Sequence, residues 1–236
     1  MEPTTNKLTM PVAIVLAGIL IAGAILLTKS VYPKSGTNPE NLESGKSGEI
    51  KIRPVTDADH ILGNPGAEIV IVEYSDTECP FCKQFHKTMN TIMAEYGKDG
   101  KVAWVYRHFP IEQLHKKAQK EAEATECATE LGGKSAFWDY INRLYEITPS
   151  NDGLDPAKLI DIAVEIKLDK QAFVSCLESG KFTDKIKKDY EEAVLAGARG
   201  TPHSIILTKN GDKLPLEGAQ PIAAVKSIIE GLLKGR

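Results

Sequence analysis

The sequence predicts an α/β domain whose sheet is interrupted by a long helical insertion, preceded by a helix that spans a membrane. Three observations carry this. Residues 8–27 are uncharged and mostly aliphatic, strand-like runs recur at residues 68–74, 101–108 and 204–207, and residues 114–198 between the last two read as helix alone. Strands alternating with helices and then returning after a helical block describe one sheet with an inserted unit. The chain has 236 residues, 42% hydrophobic and 26% charged, enough to bury a core. Its 29 basic and 32 acidic residues leave a formal charge of −3, which argues against a nucleic-acid binder, since that needs a basic patch. Collagen, coiled-coil arrays and multi-span membrane proteins are excluded. Four cysteines are too few for a disulfide-dense scaffold but suffice for two pairs.

As a helix, Leu8 to Leu27 would rise about 30 Å, the thickness of a bilayer's hydrocarbon core. A cleaved signal peptide has a shorter apolar region and a small-residue site, for which Ala22-Gly23-Ala24 could serve. An uncleaved anchor better suits a run that continues through Ile25, Leu26 and Leu27. Residues 1–28 are therefore read as a membrane anchor, with a signal peptide as the alternative. Lys7 before the run is opposed by Lys29 and Lys34 after it, so charge does not settle orientation. Residues 29–48, rich in Ser, Gly, Pro, Asn and Lys, form a flexible linker with a root-mean-square span of about 25 Å. The folded domain is residues 49–236.

Within it, Glu68 to Tyr74 (EIVIVEY) is a nearly continuous β-branched run, as in a central strand covered on both faces. Lys83 to Tyr96 places Phe85, Met89, Ile92 and Met93 at helical spacing and ends near Gly97. Lys101 to His108 is a second strand, closed by Pro110. Residues 114–131 form an Ala/Glu/Lys-rich helix stopped by Gly132-Gly133, and Phe137 to Tyr145 carries an aromatic face. Asp155-Pro156 reads as an N-cap followed by proline in the first turn. Asp169 opens a short helix, and residues 183–196 form a longer one ending at Gly197. Ser204 to Leu207 returns as strand, Asn210-Gly211 is a hairpin turn signal, and Pro221 starts a last helix to about Leu233.

The sharpest chemistry is Cys79-Pro80-Phe81-Cys82, where strand gives way to helix. Cys79 falls at the helix N-cap and Pro80 at the first helical position, where its missing N–H costs nothing. Unpaired amides and the positive end of the helix favour thiolate over thiol at Cys79. Two intervening residues bring the sulfurs within bonding reach, so the pair can cycle between dithiol and disulfide through a mixed disulfide with a client. Half of a zinc site is one alternative, but no second CxxC or CxxH follows, and His86 could give at most a third ligand; a solvent-facing helix position suits it better. A purely structural disulfide is the other, disfavoured because so small a loop is strained.

Glu73 is the one charge inside Ile69 to Tyr74, and a carboxylate in a buried strand is costly. Beneath a dithiol it could exchange protons with Cys82; on a solvated edge it would do nothing. Asp76 and Glu78 read as exposed loop acids. Gly200-Thr201-Pro202 precedes the last strands, and a proline there suggests a tight, often cis, bend that leaves the Thr201 backbone free to pair with an extended peptide. His60, His108, His115 and His203 show no partners at ligand or triad spacing, and Trp104, Phe137 and Trp138 read as core packing.

VEYSDTECPFC, KVAWVYRHFP, ECATELGGKSAFWDY and GARGTPHSIIL together resemble the DsbA-like thiol:disulfide oxidoreductases of the thioredoxin superfamily, and within them the membrane-tethered bacterial branch typified by BdbD. The resemblance covers about residues 50–234. It implies a thioredoxin fold with a helical insertion, an exposed Cys79 attacked by clients, a buried resolving Cys82, an acid at Glu73 and a cis Pro202 beside the cysteines. It implies no cofactor beyond the Cys79–Cys82 couple and no metal, and a domain outside the cytoplasm of a bacterium on a single-pass membrane anchor. Partners would be exported clients with free thiols and a quinone-linked reoxidase of the DsbB or vitamin K epoxide reductase type. With no added dimerisation domain, a monomer is expected.

One departure matters. The best-known members have histidine where this chain has Phe81, and phenylalanine cannot hold a thiolate by hydrogen bonding. A less oxidising couple follows, at about 1.4 kcal/mol or about 30 mV for each pKa unit of lost stabilisation, with the helix terminus carrying more of the effect. Equilibration with glutathione should show a higher reduction potential for Phe81→His.

Cys127 and Cys176 are 49 residues apart in the helical block. In an oxidising compartment a bond between them is the economical assignment, and some relatives carry a second bridge in this region; two inert buried thiols are the alternative. The function expected is a thiol oxidase acting on exported proteins. A reductase or isomerase would use the same residues in reverse, and a tethered peptide- or zinc-binding module would not need the cysteines' chemistry.

Overall fold

Alternating and continuous β-branched runs become strands here because helices cover both faces of the sheet they build. The computed structural model describes residues 50–235, and the predicted anchor (1–28) and linker (29–48) lie outside the described residues. Among the described residues no helix is long and apolar enough to cross a membrane. Strands β1 (His60–Leu62), β2 (Ile69–Ser75), β3 (Val102–His108), β4 (His203–Thr208) and β5 (Lys213–Glu217) form one sheet in the order β1-β3-β2-β4-β5. Only β2 and β3 run parallel; every other pair is antiparallel.

A parallel pair needs a crossover. Helix α1 (Pro80–Ile92), continued by a π-helical turn over Met93–Gly97, supplies it. Its apolar face, Phe85, Met89 and Ile92, packs with Ile69 and Ile71 of β2 and with Val225 and Ile229 of α6 (Ile222–Lys234). Side chains alternate along a strand, so Glu73 lies on the same face as Ile69 and Ile71, beneath α1.

The insertion holds α2 (Ala118–Ile147), α3 (Ala157–Glu165), α4 (Lys170–Ser179) and α5 (Thr183–Leu195). The predicted stop at Gly132-Gly133 is a kink instead. Gly133 takes φ 77° and ψ −171°, open to glycine alone, and helix resumes beyond it because Phe137, Ile141 and Tyr145 bury against the sheet core. Asp155 sits one residue earlier than an N-cap, yet its carboxylate still accepts the Ala157 amide at 2.9 Å. Asp169 caps α4 by accepting from the Ala172 amide at 2.7 Å. Cys127 of α2 and Cys176 of α4 are disulfide-bonded inside a separate apolar cluster with Tyr140, Leu144, Ile162 and Phe173. On the far face of the sheet, the fully buried Arg107 of β3 bonds Asp59 (2.8 Å) and Glu192 of α5 (2.8 Å), which ties the insertion to the sheet.

Candidate active site

Cys79 is the N-cap of α1, in extended backbone geometry, with Pro80 in the first turn. Both cysteines are free thiols. Cys82 is fully buried and Cys79 is 5% exposed, so the resemblance's exposed sulfur is largely covered, while the neighbouring Phe81 stands 61% exposed. The cover comes from the loop before β4: the Thr201–Pro202 bond is cis, and Cys79 Sγ donates to the Thr201 carbonyl at 3.5 Å. The Thr201 backbone therefore faces the Cys79 sulfur itself. Beside it runs a groove of about 340 Å³ lined by Gly200, Thr201, Pro202 and Glu217.

The Cys79 thiol is held down at about 6. The first cause is a hydrogen bond from the Cys82 thiol; burial opposes it, and the Thr201 side chain and the Cys82 and Phe81 amides add to it. The helix terminus, which the sequence alone puts first, comes after the neighbouring sulfur. Cys82 is pushed well above its ordinary value, first by burial, then by its bond to Cys79 and the charges of Cys79 and Glu73. Its sulfur accepts from the Asp76 amide at 3.4 Å. The two thiols are thus driven apart, Cys79 toward thiolate and Cys82 toward thiol.

Glu73 is on the central strand, paired with Tyr106 on one side and Ser204 on the other, which removes the solvated-edge reading. It is fully buried, and burial raises its carboxyl to about 7 against hydrogen bonds from Ser75 and Trp104, with the Cys79 charge raising it further. Trp104, read from sequence as packing only, donates Nε1–H to Glu73 Oε2 at 2.9 Å. Ser75, Tyr106 and Tyr145 continue a buried hydroxyl chain, with Ser75 and Tyr145 at 3.1 Å and Tyr106 and Tyr145 at 3.2 Å.

Several polar residues differ from their sequence reading. Asp76 and Glu78 are buried, not exposed, because the insertion folds over the loop before α1. Glu78 Oε2 accepts the Asp152 amide at 2.7 Å, and its carbonyl accepts the Asn151 amide at 2.8 Å. Glu121 of α2 is buried close by, its carboxyl pushed up to about 9 first by burial and then by Glu78, so it keeps its proton at neutral pH. His86 is buried rather than solvent-facing: its ring lies 5.0 Å from Trp104 and 4.5 Å from Tyr145, it contacts Asn142 at 2.7 Å, and burial pushes it down to about 4.

His60, His108 and His115 do have partners. His60 and His108 share Glu126 Oε1 at 2.7 and 2.8 Å, a constellation with metal-ligating donor types, on which the Lys185 ammonium already sits at 2.5 Å. His115 lies on Asp76 at 3.0 Å. His203 is a buried residue of β4.

The protein-family model described as Thioredoxin matches residues 55–230. The chain is 35% identical over 146 residues to a Na(+)/H(+) antiporter, NhaA 3 of Salinispora tropica, covering 62% of this chain and 21% of that one. It thus spans about a fifth of the length of that curated relative. Among solved structures it is similar to Pseudomonas aeruginosa DsbA2, at 28% identity and a TM-score of 0.61, over 77% of this chain and 97% of that one. It shares its fold with BdbD from Bacillus subtilis, at 23% identity and a TM-score of 0.66, over 77% and 96%.

Proposed function

The chain belongs to the thioredoxin family and has the fold of the DsbA-type thiol:disulfide oxidoreductases, and from that premise we propose that it oxidises thiols of exported proteins through the Cys79–Cys82 couple. The observation that carries this is the placement of the two thiols, Cys79 at the N-cap of α1 beside the cis Thr201–Pro202 bond and Cys82 fully buried beneath, which pushes the first acidity up and the second down. A stabilised thiolate stabilises the reduced enzyme, and that makes the disulfide form a stronger acceptor of electrons.

In the cycle, a client thiolate attacks Cys79 of the enzyme disulfide, and Cys82 leaves as a thiolate that takes up a proton. A second client thiolate then attacks the client sulfur of the mixed disulfide and displaces the Cys79 thiolate. Two electrons and the client's disulfide bond are exchanged, and the enzyme is left as a dithiol. Thr201 offers backbone to an extended client next to the mixed disulfide. A membrane reoxidase of the DsbB or vitamin K epoxide reductase type would restore the disulfide, and residues 8–27 would hold the domain at the outer face of the membrane where both meet. The antiporter name belongs to a chain of which this one matches about a fifth, and no transport function is carried over.

Glu73 passes the proton to and from Cys82 in this scheme. Glu73→Gln should slow formation and opening of the enzyme disulfide by about a hundredfold, measured by stopped-flow with a thiol peptide. The same variant should be more stable above pH 7. The native carboxyl keeps its proton up to about 7 while the unfolded chain loses it near 4.5, so burial of Glu73 costs stability as pH rises through that interval, by about 3 kcal/mol once complete. Glutamine carries no such cost.

Equilibration of the full chain with glutathione tests the direction of the reaction. A couple at or above about −180 mV fits an oxidase, and one near −270 mV a reductase, about 90 mV being three decades in equilibrium constant.

A further inference from the structure

Asp76 touches both cysteines through its backbone and a histidine through its side chain. Its amide donates to Cys82 Sγ at 3.4 Å, and its carbonyl accepts the Cys79 amide at 3.2 Å. On its carboxylate, Oδ1 accepts the Glu78 amide at 2.9 Å, while Oδ2 takes the Ile111 amide at 2.7 Å and His115 Nδ1 at 3.0 Å. Asp76 is 1% exposed and His115 6%, so the charges of this pair are poorly screened by water. The His115 backbone is also held: its amide bonds the Ile111 carbonyl at 2.9 Å, and its carbonyl accepts the Ala118 amide at 3.2 Å as α2 begins. A buried imidazole is thus bonded to the one residue whose backbone holds both cysteines. Phe81, inside the motif, offers no donor.

We propose that His115, seated on Asp76, is a positioning residue of the redox site: as imidazolium it favours the Cys79 thiolate and, with it, the reduced enzyme. This rests on reading Cys79–Cys82 as a redox pair. The charges that act on the ring are those of Asp76, Cys79 and Asp152; the protonated Glu121 in turn feels Glu78 and Asp76, and Lys116 and Lys117 follow in the chain, the Lys117 ammonium being taken up by the Asp152 and Leu154 carbonyls. Burial works against the charged ring, but the hydrogen bond and charge of Asp76, then the charges of Cys79 and Asp152, outweigh it, and the ring titrates above its ordinary 6.5.

Imidazolium and thiolate therefore coexist from about pH 6 upward until His115 loses its proton. Linkage makes the effect reciprocal. Oxidation removes the thiolate, so the ring must hold its proton less tightly in the disulfide form.

The test uses the full chain in non-ionic detergent, with two readouts: the pH dependence of Cys79 alkylation by iodoacetamide, followed by mass spectrometry, and the equilibrium constant with glutathione. His115→Gln removes the cation and leaves Asp76 less opposed, so about fivefold less thiolate is expected at pH 6. The glutathione constant should move about fivefold toward the reducing side, or about 20 mV. His115→Lys returns a cation and should recover most of both shifts. His115→Asn replaces glutamine if the longer amide disturbs the loop.

An alkylation profile unchanged in His115→Gln overturns the proposal. So does a shift that His115→Lys leaves uncorrected while circular dichroism stays native, because the ring would then act by shape alone. The alkylation readout reports on His115 even if the wild-type chain exchanges no disulfide with glutathione; that result would defeat the redox reading separately.

Discussion

Cys79→Ser is expected to lose thiol–disulfide exchange altogether, a fall of at least about a thousandfold in the oxidation of a dithiol peptide. No other nucleophile at the N-terminus of α1 could replace it: Pro80 and Phe81 carry none, and the Cys82 thiol is fully buried and held protonated. Cys82→Ser has a different consequence. Cys79 would still form a mixed disulfide, but no inner sulfur could resolve it, so a covalent adduct with the client should accumulate and be visible on a non-reducing gel. Cys82→Ser should also raise the Cys79 thiol, because the leading donor to its thiolate is weakened. Exchange surviving in Cys79→Ser would mean that the couple is not the reacting group.

The second large effect is on stability. Replacing Cys127 and Cys176 together by alanine opens a loop of 49 residues. Loop-closure entropy puts the cost at about 4 kcal/mol, and the midpoint of thermal unfolding should fall by about 10 °C for a domain of this size. The bond joins α2 to α4 inside the insertion's own core, away from the Cys79 cluster, so the exchange rate at Cys79 should stay within about twofold of wild type. Calorimetry and the peptide assay on one preparation read both quantities.

The residues that carry local chemistry were the legible ones. A CxxC at a strand-to-helix junction states its own geometry, and an acid in the middle of a β-branched run is conspicuous because burying it is costly. Pro202 and Thr201 were legible because proline restricts the backbone wherever it stands. The features that the sequence does not announce depend on contacts distant along the chain. Asp76 and Glu78 look like loop acids, but Asp76 is covered by Ile111, His115 and Tyr145 and Glu78 by residues 151 and 152, all more than 30 residues away. His60, His108 and Glu126 meet from β1, β3 and α2, with no spacing along the chain to announce it. Strand β1 has three residues, too few for any periodicity, and it forms as an edge because β3 offers it a partner in Trp104 to Tyr106. Gly133 reads as an end and is a kink, since glycine marks both, and only the aromatic residues beyond it say that the helix goes on.

The proposed oxidase reading depends on the acidity of one sulfur. The rate of Cys79 alkylation as a function of pH, followed in the reduced full chain, measures that acidity without any client or redox buffer. A midpoint near pH 6 is predicted, with Cys82 unreactive through pH 9. A midpoint at about 8.5, the value of an unperturbed cysteine, would contradict it.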